Sequence, residues 1–514
     1  MENNVVLKKS NKLGLKTWVC IIIFGLAGLT FGSLAAKKGH EVVIYDKNSV
    51  PGGVCALIEH NGYKFEQGPL LIGDMLEGEP IYELLKELGI SLETMRADRD
   101  ISFPDYKLIR PEEYKGKYWR RDYLKTIFPE DSKGLDKYYK FYDNVMHLRY
   151  LSTLNPSLIN KLRLASTFLK IKKYSKMNAD ELTKYFFSNE KLRIVYTGIL
   201  ADFCADPKEV IGLTTVFTNF ETAFDTRIPL YKGKKKYDPG FCYVKGGVQK
   251  IPEALADYIT SHNGKIIYNT IVDKVLIKDQ KAYGIKLENG EEVYGDLVIG
   301  CGSGKDFFKN MVGHEHLTKD YIKVLDEYVN MEGVFMLHLG VDYNPFDYLR
   351  SPLIYCYGMY DLEKATEKLR NGIYHEGDDG YLIFVPSAHA EEFAPKGHHA
   401  ITIYTVAPDK LKDGNWEDKK EEYAKKLISL AEEQLPNLSK HIKEMKIMTP
   451  VEYRHLTHMS RSSFGGNVPI WNMKTPAHFT PVENLIFLGQ QSENGGGMAA
   501  VMMGAKDAFE KIDK

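Results

Sequence analysis

Trp18-Val19-Cys20-Ile21-Ile22-Ile23-Phe24-Gly25-Leu26-Ala27-Gly28 opens a charge-free stretch that ends at Ala36, and Glu41-Val42-Val43-Ile44-Tyr45-Asp46 follows it. The fold turns on how this stretch is read. Thr17 to Ala36 has about the length of a transmembrane helix, and Lys8, Lys9, Lys12 and Lys16 supply a basic flank before it. A signal peptide is a second reading, but no convincing small-residue cleavage site precedes Lys37 and Lys38. The third reading starts from residue type. Trp18 to Phe24 is apolar and rich in β-branched residues, as a fully buried parallel strand should be. Gly25, Gly28 and Gly32 then allow a turn into a helix ending near Lys38-Gly39, and Glu41 to Asp46 makes a second strand closing on an acid.

Strand, glycine turn, helix, strand and terminal acid form the dinucleotide-binding unit. Gly25 lets the backbone approach a pyrophosphate, and Gly28 lets the helix pack close to the strand. The helix N-terminus offers unpaired N–H groups and the positive end of its dipole to phosphate. Asp46 is placed to accept hydrogen bonds from ribose hydroxyls. Ile23 stands where the G-x-G-x-x-G pattern has its first glycine, so either the turn is widened or cofactor binding is weakened. A membrane span would strip Glu41 to Gly53 of its partner strand, which is the main objection to it.

Working outward, 514 residues exceed one ordinary core and point to two or three structural units. A 44% hydrophobic and 27% charged composition describes a soluble globular protein. With 68 Lys+Arg against 69 Asp+Glu, the net charge of −1 gives no reason to expect nucleic acid as a partner. Cys20, Cys55, Cys204, Cys242, Cys301 and Cys356 are scattered without a C-x-x-C pair, so a reducing, cytoplasmic compartment is expected. His375, His389, His398 and His399 have no metal-ligand spacing, and no metal site is expected.

More motifs follow the first unit. Pro51-Gly52-Gly53-Val54 and Phe65-Glu66-Gln67-Gly68-Pro69 come after Asp46-Lys47. Tyr243-Val244-Lys245-Gly246-Gly247 precedes a helix at Ile251–Leu255, and Ile271-Val272-Asp273-Lys274-Val275 reads as a strand. Asn289-Gly290 is a hairpin signal between Ala282–Leu287 and Glu292–Tyr294. Asp296 to Cys301 returns as a buried strand. Near the end, Asn484 to Gly489 is a strand closing on glycine, followed by Gly495-Gly496-Gly497-Met498 and a helix to about Ile512.

On these motifs the sequence resembles the phytoene desaturase, carotenoid isomerase and retinol saturase group of flavoproteins, within the FAD-dependent amine-oxidase-like superfamily. The resemblance implies an α/β fold: a Rossmann-like FAD-binding domain in three segments, with a mixed α+β substrate domain inserted. The segments are 14–75, 238–305 and 475–514. Residues 76–237 would form a mainly helical insert and 306–474 an α+β substrate domain. The FAD-binding residues it implies are Gly25, Leu26, Ala27, Gly28, Asp46, Lys47, Gly52, Gly53, Val54, Gly68, Pro69, Val272, Gly489, Gly496, Gly497 and Met498. Val272 would present its backbone to the adenine. The helix from Met498 would aim its positive end at the flavin's pyrimidine edge, where charge develops on reduction.

The position after Gly52-Gly53 is often basic in the amine-oxidase branch, and here it is Val54, which favours the polyene-modifying branch. The expected function is therefore FAD-dependent desaturation, saturation or cis-trans isomerisation at C–C or C=C bonds of a hydrophobic polyene, isoprenoid or lipid. An amine oxidase and a degenerate flavin-fold binding protein are the alternatives. His455 and His458 are weak candidates for proton transfer, each more simply read as a surface or core histidine. Arg454 and Arg461 could bind a carboxylate headgroup or be merely solvated.

Between Pro156 and Lys176, Leu158, Ile159, Leu162, Ala165 and Leu169 share a helical face, with Lys161, Arg163, Lys170, Lys172, Lys173 and Lys176 around it. That composition suits either a helix at an anionic membrane surface or a core helix with snorkelling lysines. The basic run Lys232–Lys236 reads as a solvated loop that could reinforce the same surface. The sequence leaves the oligomeric state open.

Overall fold

The computed structural model describes residues 18–23, 25–114, 116–152, 157–218, 240–461 and 464–513. The Lys232–Lys236 run lies outside them. Val19–Ile23 (β1) is buried along its whole length, as a strand covered on both faces must be. It sits at the centre of a five-stranded parallel sheet. One side carries Glu41–Tyr45 (β2) and then Lys265–Ile267 (β3); the other carries Leu297–Gly300 (β4) and then Leu485–Phe487 (β5). Ile22 pairs with Ile44 on one flank and with Ile299 on the other.

Alternation along β1 divides its side chains between two cores. Cys20 and Ile22 face three helices, Leu26–Lys37 (α1), Lys250–Ser261 (α2) and Met498–Ile512 (α3), within one buried apolar cluster. Ile21 and Ile23 face the opposite layer, where Phe307, Phe308 and Phe487 pack beneath an antiparallel three-stranded sheet. That sheet comprises Val272–Lys278, Lys281–Leu287 and Glu292–Tyr294. Its second turn is the one signalled by Asn289-Gly290. Its first turn uses Asp279 and Gln280, both with positive φ (51° and 60°), which no glycine marks. The charge-free N-terminal run is thus a strand and a 12-residue helix. Among the described residues no helix is long and apolar enough to cross a membrane.

The remaining chain builds a second layer around a seven-stranded sheet. In spatial order its strands are Ile442–Met448, Gly333–Val341, His399–Ala407, Gly380–Phe384, Leu353–Tyr357, Asp100–Ser102 and Lys107–Leu108. Asp100–Ser102 runs parallel to Leu353–Tyr357, and the other pairings are antiparallel. Strands from before residue 110 and after residue 330 therefore share one sheet. Helix Trp416–Ala431 buries Tyr423, Ala424, Leu427 and Ile428 against it, alongside Phe335 and Leu337. Helices Trp119–Ile127, Ser132–Ser152, Ala179–Phe186 and Glu190–Thr197 make an aromatic-rich bundle at its edge, with Tyr138, Tyr139, Phe186, Phe187 and Tyr196 in the core.

Candidate functional site

Two helix N-termini open into one cavity of about 860 Å³. α1 begins at Gly25 (φ 101°) and α3 at Gly497 (φ 95°), and neither has a side-chain cap or an acid in its first turn. Their leading N–H groups and positive dipole ends therefore face the cavity without an internal acceptor, which suits an anionic ligand. Leu26, Ala27 and Met498 line it beside these ends.

The glycines have different tasks. Gly52 (φ 113°) and Gly53 (φ 58°) turn the chain along the cavity wall, and the space before Gly53 and Gly497 is open where a Cβ would stand. Gly489 (φ 114°) lines the cavity beside Gly302. Gly28 and Gly68 instead serve close packing: a Cβ would meet Ile22 Cγ2 at 2.5 Å in the first and the Val54 carbonyl oxygen at 2.5 Å in the second. Gly496 lies on the cavity wall and against the Gly465 carbonyl.

Asp46 closes β2, and its Oδ1 accepts a hydrogen bond from the Asn48 backbone N–H at 2.9 Å. Burial pushes its carboxyl up to about 6 against the opposing pull of the Asn48 N–H and of Lys47. Burial pulls Lys47 down to about 7, with Asp46 opposing. Asn48 lines the cavity, and its buried Nδ2 has no hydrogen-bond partner. An unsatisfied buried amide donor next to a cavity is a place to look for a ligand acceptor.

The structure gathers Gly25, Leu26, Ala27, Gly52, Gly53, Val54, Pro69, Gly489, Gly496, Gly497 and Met498 around this one cavity. Gly28, Asp46, Lys47, Gly68 and Val272 are not on its wall; Val272 opens the first strand of the three-stranded sheet, its side chain buried in the core. His455 and His458 are also off the wall, although Leu456, Thr457 and Met459 between and beside them are on it. His458 ends its helix at φ 51°, and burial lowers its pKa. Ile23 turns into the Phe307–Phe487 core, away from the cavity wall. Arg454 pairs with Asp409 at 2.8 Å and Arg461 with Glu332, so both are engaged internally.

Away from the helix termini the cavity becomes an apolar chamber. Phe203, Phe217, Phe241, Met331, Tyr404 and Phe464 line it. Its charged groups are Asp202 and the Asp74–Arg149 ion pair. These residues come from distant parts of the chain, and no spacing in the sequence announces them. Among the described residues no three His, Cys, Asp or Glu side chains converge as a metal site.

A central parallel sheet, two uncapped helix ends over one cavity, and an unsatisfied amide donor beside a strand-end acid fit a dinucleotide ligand such as FAD. The chain belongs to the family of flavin-containing amine oxidoreductases, whose model matches residues 26–508, and FAD is its cofactor. It is similar to prolycopene isomerase 1, chloroplastic, from an Oncidium hybrid cultivar, 24% identical over 500 residues that cover 94% of this chain and 81% of that one. It is also similar to the 4,4'-diapophytoene desaturase (4,4'-diapolycopene-forming) of Methylomonas sp, 23% identical over 533 residues covering 96% and 95%. Among solved structures, an oxidoreductase from Methanosarcina mazei superposes with a TM-score of 0.60 at 18% identity, covering 96% of this chain and 99% of that one.

Proposed function

We propose that this flavoenzyme desaturates, saturates or isomerises C–C and C=C units of a hydrophobic polyene, isoprenoid or lipid. The observation that carries the reading is the continuity between the two helix termini and an apolar, aromatic-lined chamber in one cavity. The kinship with a prolycopene isomerase and a diapophytoene desaturase supports the same substrate class. Val54 on the wall adds no charge for an amine substrate to exploit.

In this reading the N–H groups of Leu26 and Ala27 bind the pyrophosphate and Asp46 accepts from the ribose. Asn48 donates from its free amide, and the Val272 backbone faces the adenine. Gly52, Gly53 and Pro69 give the ring system close backbone approach, while α3 directs its dipole from Gly497-Met498 at the pyrimidine edge. Bound FAD supplies the hydride acceptor or donor. The aromatic wall excludes water and holds an extended apolar chain against it.

Peripheral membrane contact completes the proposal. Helix Leu158–Ile171 buries only Thr167 and Ile171, leaving Leu158, Ile159, Leu162 and Leu169 at 74, 67, 63 and 67% exposure. Exposed Lys161, Arg163, Lys170, Lys172 and Lys173 surround that stripe. The stripe is therefore not a core face, and its charge suits an anionic lipid surface from which an apolar substrate could be drawn.

The test is anaerobic incubation of the FAD-loaded protein with 4,4'-diapophytoene and with prolycopene, following flavin bleaching and product mass. Loss of two hydrogens identifies desaturation and gain identifies saturation. Unchanged mass with altered chromatography identifies isomerisation. Protein that holds no flavin even after reconstitution would sink the reading.

A further inference from the structure

Asp202 lies in a short 3-10 segment, Gly198–Phe203, and no sequence pattern marks it. It is partly exposed, and it lines two cavities. One is the large chamber reached from the α1 and α3 N-termini. The other is a smaller cavity of about 50 Å³ bounded by Tyr355, Tyr357, Thr366, His375, Asp379 and Thr405, among others. Asp202 and Tyr404 line both cavities, so they form the partition between them.

The surroundings hold the carboxyl in place. Tyr355, on strand Leu353–Tyr357, stands beside Asp202 and favours its ionised form. Arg99 lays its guanidinium over the Tyr355 ring, 5.3 Å from the centroid, and is the cation that acts on Asp202. Tyr357 and Tyr404, on two strands separated by Gly380–Phe384, also act on the carboxyl, and Arg120 acts on Arg99. Burial nevertheless outweighs the influence of Tyr355 and the Arg99 charge, pushing the carboxyl up to about 7. A carboxyl poised there can both take and give a proton at neutral pH.

At about 50 Å³ the smaller cavity has room for a few water molecules, and Asp202, Tyr355, Thr405, His375 and Asp379 offer them polar partners. At its far side Asp379 pairs at 3.3 Å with Lys368, whose side chain is 37% exposed.

Resting on the polyene-modifying flavoenzyme reading above, we propose that Asp202 exchanges a proton with the substrate in the large chamber and that the smaller cavity connects it to solvent. In the oxidative direction one substrate C–H bond gives up a hydride to FAD. Asp202 takes the proton from the neighbouring carbon: that C–H bond breaks, an O–H bond forms, and the electron pair becomes the second bond of the new C=C. In the reductive direction the same O–H returns its proton to carbon. In isomerisation the proton is added to the polyene and then removed after rotation, with no net electron transfer.

Two measurements on the FAD-loaded full chain test this. Infrared difference spectra of wild type and Asp202→Asn should reveal a protonated carboxyl band, present at pH 5, lost near neutrality and missing from the variant. With 4,4'-diapophytoene or prolycopene, Asp202→Asn should lower turnover at least ~100-fold, and with prolycopene it should abolish incorporation of solvent deuterium into the isomerised product, with FAD content unchanged and partial recovery in Asp202→Glu. Absence of the titrating band, or Asp202→Asn turnover within about threefold of wild type, overturns the role of Asp202. A wild type that holds no FAD overturns the flavoenzyme reading instead, so the two failures are separable.

Discussion

Gly28 of α1 and Ile22 of β1 are so close that a Cβ on the glycine would lie 2.5 Å from Ile22 Cγ2. The contact sets the height of α1 above the sheet, and with it the position of the N–H groups of Leu26 and Ala27. Gly28→Ala should cost about 1–3 kcal/mol in urea denaturation and weaken FAD retention by lifting the helix. Adding Ile22→Leu, which removes the offending methyl at constant volume, should recover more than half of both losses.

Ile23 occupies the place of a motif glycine, yet its side chain is buried among Phe307 and Phe487 on the far face of the sheet. Ile23→Gly should therefore destabilise the fold by about 3–5 kcal/mol through lost packing and added chain entropy. FAD affinity, measured by fluorescence titration of the apoprotein, should not rise.

With Asp46 as the proposed ribose acceptor, FAD binding should depend on pH. The Asp46 carboxyl is pushed up to about 6, and the ionised form is the better acceptor for ribose hydroxyls. Affinity should be nearly constant above pH 7 and about tenfold weaker at pH 5, from the fraction protonated. Asp46→Asn should bind FAD more weakly at pH 8 and remove the slope.

Glu66 predicts a stability effect of definite sign. Burial pushes its carboxyl up to about 8, with only the Val248 N–H, at 3.2 Å, opposing. The folded state thus holds a proton that the unfolded state releases near the ordinary value of 4.5. This contribution is fully present below the unfolded value and is lost as pH rises through about 8. The loss is at most about 1.4 kcal/mol per pH unit across that window. Thermal melts should show Glu66→Gln gaining on wild type steadily from pH 5 to pH 8.

The exposed stripe of helix Leu158–Ile171 gives a binding prediction. Leu162→Glu with Leu169→Glu should reduce sedimentation with phosphatidylserine-containing vesicles at least ~10-fold, leaving melting temperature and FAD content unchanged. Vesicles of neutral lipid should bind the wild type more weakly.

Legibility in the sequence followed the range of the interactions. β1, α1 and β2 were readable because buried strand periodicity, glycine turns and a strand-end acid act within a few residues. The hairpin at Asn289-Gly290 was readable for the same reason, while the Asp279-Gln280 turn carries no glycine and was missed. The direction of the Leu158–Leu169 stripe could not be read, because periodicity marks an apolar face without saying what covers it. Asp202, Tyr355 and Arg99 were invisible as a group, since only the seven-stranded sheet brings 99, 202 and 355 together. Ile23 looked like a motif defect because spacing alone does not tell which face of a strand a residue occupies.

The Val19 N–H donates to Asp296 Oδ2 at 3.1 Å, a bond that joins residues 277 positions apart. Alongside it, β1 lies between β2 and β4, and β5 closes the edge from near the C-terminus. On a ribosome, this fully buried apolar strand therefore emerges long before its second neighbour exists. At about 5–20 residues per second the wait lasts tens of seconds or less, but it far exceeds the time needed for collapse. The nascent chain must be kept from aggregating through that interval, and the five-stranded sheet can close only after Leu485–Phe487 has emerged.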